Sequence, residues 1–285
     1  LEFTFKSFHD AIWLHEHLYK MTKASHYCET SIQNQKQFVL KIDMNKISLN
    51  HLEKAFIDFI KRKKRNDWIQ EILKNHFFYE EEFERIQIGE IVSEMLNGKR
   101  QELTALLNKT NDMNTIEQAV RPLFEQSARI SFDSFLTFRL KNYYEDLISY
   151  VEIAIDEYKM EQDYQVYIQM LRDYLQGKAP KREIVRIYFS NHRVFYDGDF
   201  EQISDEVLNR YLDRRLLINH PIYVDSNTIA PLLSIAPAAI ILYTDHPEQG
   251  LIRTIKNIFE ERVAIYPKST FLEGRSLLKS GESSS

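Results

Sequence analysis

The densest chemistry in the sequence is the run Lys61-Arg62-Lys63-Lys64-Arg65, with Trp68 close behind it. On a helix these cations offer an anion-binding surface of the kind that holds phosphate backbones. The plainer reading is a solvated helix face, because long basic side chains commonly cover apolar helix surface. Asp245-His246 stands second, since it follows the apolar strand-like stretch AAIILYT. Open α/β sheets bind ligands outside the carboxyl ends of their strands, which makes the pair a candidate ligand site. Asp245 is equally suited to cap the helix expected after it.

Other reactive types are poorly arranged for catalysis. Glu152 and Asp156 lie one helical turn apart, with Glu145 and Glu161 on the same segment, yet no pair of Glu-x-x-His motifs accompanies them as a di-metal bundle requires. His15-Glu16-His17 is the one cluster among nine histidines, and alternate helix positions point in widely different directions. Cys28 is the single cysteine, which excludes an intramolecular disulfide and a cysteine-based zinc site and fits a reducing, cytoplasmic compartment. Gly-x-Ser-x-Gly and glycine-rich phosphate loops are absent. The residues thus indicate no catalytic group, no metal and no cofactor.

The elements that must position these residues fall into blocks. Leu1–Lys6 alternates as a strand, His9–Met21 has helical periodicity, and Tyr27–Ile32 and Gln37–Ile42 read as two strands. Residues 1–47 therefore form a small β-α-β-β unit. From Ser48, a plausible N-cap, the period becomes helical, and residues 48–178 read as a central helical domain. Helices are expected at Glu80–Leu96, ended by Asn97-Gly98, and at Asn114–Gln126, broken at Pro122. The longest coherent piece is Ile130–Gln176, which lacks Gly and Pro and carries an apolar face of Leu136, Leu140, Tyr143, Leu147, Val151, Ala154 and Tyr158. Its Glu161-Gln162-Asp163 cluster is a candidate bend.

Gly177-Lys178-Ala179-Pro180 marks a boundary. Residues 179–268 then read as a carboxyl-terminal α/β domain. Strands are expected at Glu183–Phe189, Val194–Tyr196, Pro221–Val224, Ala238–Tyr243 and Val263–Tyr266, and helices at Asp205–Asp213, from Thr228, and at His246–Glu260. The last three elements make a β-α-β unit, hence a parallel pair. Residues 269–285 are expected to be a flexible tail. The fold class is a mixed, helix-rich α/β protein.

Across 285 residues, few glycines and prolines favour long helices, and a net charge of −5 creates no field directed at nucleic acid. The most apolar window, from Ile229, is broken by Pro231 and Pro237 and falls short of the roughly 30 Å a bilayer span requires. No secretory signal is expected from LEFTFKSFHDAIW.

The stretch FDSFLTFRLKNYYEDLISYVEIAIDEYKMEQDYQVYI, together with DHPEQGLIRTIKNIFEERVAIY, resembles the YtxC-like sporulation proteins of endospore-forming bacteria. The resemblance implies a cytoplasmic role connected with spore formation, and it carries no catalytic residue or cofactor onto this chain. Within it, FLTFRLKNY places Phe138, Arg139, Lys141 and Tyr143 together as a candidate binding surface. The resulting expectation is a non-catalytic interaction protein with a protein partner. The alternatives are nucleic-acid binding through Lys61–Arg65 and a small-ligand or enzymatic site at Asp245 and His246.

Overall fold

The computed structural model describes residues 1–22, 28–33, 37–107, 112–124, 129–190, 192–213 and 227–282, with the backbone alone at 28–33, 112–114 and 277–282. The strand expected at Pro221–Val224 lies outside the described residues. The chain is a helix-rich α/β protein with two mixed sheets, and it divides into two compact units, Leu1–Met160 and Glu161–Ser285.

The first unit opens with β1 (Glu2–Phe5), α1 (Phe8–Thr22), β2 (Cys28–Gln33) and β3 (Gln37–Ile42), which confirms the β-α-β-β reading. Its sheet has the order β2-β3-β1-β4. The fourth strand, β4 (Arg129–Ser131), pairs in parallel with β1, so the opening unit draws its outer strand from far along the chain.

Ser48 caps α2 (Leu49–Phe59), its hydroxyl accepting from the His51 amide. The helical path then passes through a π-turn at Ile60–Lys64, α3 (Arg65–Glu71) and a second π-turn at Ile72–His76. Each π-turn is closed by an i→i+5 bond, Arg65 N–H to Ile60 O and Phe77 N–H to Ile72 O. Helices α4 (Glu82–Leu96), α5 (Gln101–Thr104) and α6 (Asp112–Val120) follow, and a 3₁₀ turn at Arg121–Phe124 takes over as Pro122 approaches.

The long apolar-faced stretch is not one helix. It divides at Leu140 into α7 (Phe132–Arg139) and α8 (Lys141–Leu175), while α8 runs unbroken through Glu161–Asp163. Packing explains the break. Phe132 lies 5.0, 5.5 and 5.4 Å from the rings of Phe5, Phe56 and Phe59, and this aromatic cluster holds α7 against the sheet. Leu140, fully buried, takes φ −109° and ψ 16°, so the chain can turn into α8 with Tyr143, Leu147, Val151 and Ala154 still in the core.

In the second unit Gly177 ends α8 at a positive φ of 73°, a conformation open to a residue without Cβ. Its sheet, ordered β7-β6-β5-β8-β9, comprises β5 (Ile184–Phe189), β6 (Arg193–Tyr196), β7 (Gln202–Ile203), β8 (Ala239–Tyr243) and β9 (Val263–Tyr266). Strands β5, β8 and β9 run parallel, as the β-α-β reading requires. Val185, Ile187, Ile240 and Leu242 face a core shared with α9 (Asp205–Tyr211), α10 (Ile229–Ile235), α11 (Gly250–Phe259) and the end of α8. Helix α11 supplies Ile252, Ile255, Ile258 and Phe259 at helical spacing.

The sheet's other face presents Tyr188, Tyr196 and Tyr243. The expected tail begins instead with α12 (Lys268–Glu282), whose Phe271 is 3% exposed and meets Tyr188, Tyr196, Phe200 and Tyr243 at ring-centroid distances of 4.8, 4.8, 5.4 and 5.1 Å. A hydrophobic anchor of this size, surrounded by rings, gives the segment an ordered path that its polar composition hides.

Candidate functional site

The basic run sits on the first π-turn, and three of its members have contacts within the first unit. Lys63 Nζ donates to Asp67 at 2.6 Å, one turn along the same helix. Lys64 Nζ donates to Asp10 at 2.9 Å, where both side chains are largely buried, so the pair holds α1 against the π-turn. Removing one member of such a pair strands the other charge, which costs far more than breaking a surface ion pair. Arg65 Nε donates to Tyr143 Oη at 2.6 Å, tying the run to α8. Lys61 and Arg62 form no ion pair among the described residues, and Arg62 is the exposed one of the two. A cavity of about 480 Å³ lies beside this turn, and its lining mixes Lys63 and Lys64 with Asp10, Glu16 and Asp67. Carboxylates there offset the field that a phosphate would need.

Phe138, Arg139, Lys141 and Tyr143 separate into two groups. Tyr143 is buried at 2% exposure and occupied by Arg65, whereas Phe138 is 79% exposed and Arg139 and Lys141 also face solvent. Phe135 and Leu136 turn inward, whereas Phe138 and Arg139, three residues further on and pointing in neighbouring directions, fall on the last turn of α7 and remain exposed. Lys141 Nζ lies 3.6 Å from Glu145, an exposed i,i+4 pair of small energetic weight.

Beside Phe138 opens a cleft of about 360 Å³ between α7, β4 and the end of α6. Its apolar walls are Ala119, Pro122, Leu123, Ile130, Phe135 and Phe138, and its polar edge is Arg129, Ser131, Ser134 and Arg139. Ser131 caps α7, accepting from the Ser134 amide at 3.3 Å, and Asp133 accepts from the Lys6 amide at 2.8 Å, so the loop-to-helix corner that forms the cleft is fixed at both strands. Sequence reasoning pointed at Phe138 and Arg139 and missed the opposite wall. Pro122 was visible as a helix breaker, but nothing local places it against α7.

Asp245 and His246 lie exposed beyond the end of β8. Asp245 does not cap the next helix, which starts only at Gly250. Its Oδ1 accepts from the Lys268 amide at 3.3 Å and its Oδ2 lies 3.5 Å from Lys268 Nζ, so it caps α12 instead. His246 donates its backbone amide to Thr244 Oγ1 at 3.0 Å. Other acid and histidine candidates have structural partners or face solvent. His17 stacks on Trp13 at 4.7 Å and lies 3.2 Å from Asp58, and Glu152 and Asp156 are exposed. No group of three or more His, Cys, Asp or Glu is placed to hold a metal among the described residues. No described helix is long and apolar enough to cross a membrane.

Fold and surface together define a helix-rich α/β protein of two compact units, with a half-apolar, arginine-edged cleft on the first. Comparison with known proteins supplies the particular family. A profile of the YtxC-like family matches residues 50–264, and the chain belongs to that family. It is 32% identical over 231 residues to a Bacillus subtilis (strain 168) protein, "Uncharacterized protein YtxC", with 81% of this chain and 82% of the relative covered. No solved structure matches.

Proposed function

We propose that the protein is a non-catalytic interaction protein of spore formation, acting in the cytoplasm and engaging a protein partner through the face around Phe138. The observation that carries this reading is Phe138 itself, a large aromatic side chain 79% exposed at the mouth of a cleft with apolar walls. Aromatic and arginine side chains are the types enriched where proteins meet, and here Phe138 and Arg139 are adjacent. The setting rests on the resemblance of the 132–168 stretch to YtxC-like sporulation proteins, in line with membership of the YtxC-like family.

A photo-crosslinking amino acid at position 138, introduced in sporulating cells, tests it. A discrete covalent adduct is expected at 138 and none at position 83, where Phe83 is also exposed, at 69%. Equal yields at both positions, or no adduct at 138, would sink the molecular half. Normal spore yield after deletion of the gene would sink the biological half.

A further inference from the structure

We infer that the cleft beside Phe138 receives an extended, acidic segment of the partner, laid along β4. This deepens the interaction reading above and rests on it.

Charge provides the first argument. Among the described residues the ionisable side chains lining the cleft are Arg129, which has an interaction of its own, and Arg139, with no carboxylate among the described lining residues. Arg139 forms no ion pair among the described residues. A guanidinium fork at the edge of an apolar cleft matches a carboxylate flanking an apolar side chain, and complementarity of this kind sets which partner binds. The cavity near Lys63 and Lys64, whose lining mixes cations with Asp10, Glu16 and Asp67, lacks that polarity.

Strand order provides the second. β4 is the outermost strand of its sheet and pairs with β1 alone among the described residues. An outer strand keeps one row of backbone N–H and C=O groups unpaired, and an added strand satisfies them. Arg129, Ile130 and Ser131, the whole of β4, line the cleft. A segment running along them places alternate side chains on the same face, so an apolar residue reaches Ile130, Phe135 and Phe138 while an acidic residue two positions away reaches Arg139. A helical ligand would leave the β4 row unpaired.

The test is selection of a random octapeptide display library on the full chain, with Phe138→Ala as the counter-selected surface. That substitution removes an exposed side chain and leaves the core intact. Enriched peptides are expected to carry Asp or Glu two positions from an apolar residue. In fluorescence anisotropy, the best of them should bind about tenfold more weakly once its acids become amides, and about tenfold more weakly to Arg139→Glu. Methylating alternate backbone nitrogens of the peptide should also abolish binding. Neutral or basic consensus sequences, no enrichment that depends on Phe138, or full binding by the N-methylated peptide would overturn the inference. If an adduct forms at position 138 in cells while the selected peptides are neutral or basic, the acidic strand fails and the interaction reading stands. Acidic peptides without any cellular adduct give the reverse.

Discussion

Phe138 and Phe271 are the same residue type, each on a helix beside a sheet, and they end up in opposite surroundings. Phe271 is 3% exposed within four aromatic rings, and Phe138 is 79% exposed at a cleft. In the second unit the sheet face carrying Tyr188, Tyr196 and Tyr243 finds its cover within the chain, because Asp245 starts α12 and α12 delivers Phe271. The cleft of the first unit has no corresponding cover among the described residues. The difference separates two uses of an aromatic side chain. One closes a core, at about 0.5–1.5 kcal/mol per well-placed ring pair beyond burial itself. The other remains available to a second molecule.

The hardest blow to that contrast would come from Phe271→Ala. Loss of the buried ring should lower stability by about 3–5 kcal/mol in denaturant unfolding, and a loss near zero would show that α12 contributes no closure. Gly274→Val should follow. A Cβ at Gly274 would stand 2.8 Å from the Phe200 ring, so overpacking should cost about 1–3 kcal/mol. A more graded check is alkaline pH. Burial, with a smaller contribution from Tyr164, pushes the Tyr167 phenol up to about 12. The folded chain then keeps a proton that the unfolded chain releases near pH 10, so stability should fall as pH rises from about 10 to about 12. Tyr167→Phe should flatten that fall in pH-dependent unfolding. The smallest effect is expected for Phe138→Ala, within about 0.5 kcal/mol of the parent in the same assay. A loss above roughly 1.5 kcal/mol would break the comparison by showing that Phe138 is also part of a core.

Much of this architecture is legible in local pattern. Period-two alternation marks β1 in sequence and β5 in burial, Ser48 marks the start of α2, and Gly177 marks the end of α8, because each signal acts within a few residues. What escapes is set by partners distant in sequence. β4 is only Arg129–Ser131, too short to show alternation, and its place beside β1 depends on pairing across more than a hundred intervening positions. The break at Leu140 has no glycine or proline to announce it and follows from the aromatic packing of α7. The same limit applies to the sites. That Lys64 answers Asp10, Arg65 answers Tyr143 and Asp245 answers Lys268 is a property of the folded chain, not of any window of sequence. Of the cleft, FLTFRLKNY discloses the α7 wall, and Pro122, Leu123 and Ile130 join it only through topology.

The two π-turns, Ile60–Lys64 and Ile72–His76, bear on how length can vary among relatives. Inserting or deleting one residue in an α-helix rotates everything beyond it by about 100°, which would swing Trp68, Ile69, Ile72 and Leu73 off the core. A π-turn already carries a surplus residue and can relax to an ordinary turn when that residue is lost. Alignment gaps of a single position should therefore gather at 60–64 and 72–76 and be rare in α3 between them, leaving the buried faces on either side in phase.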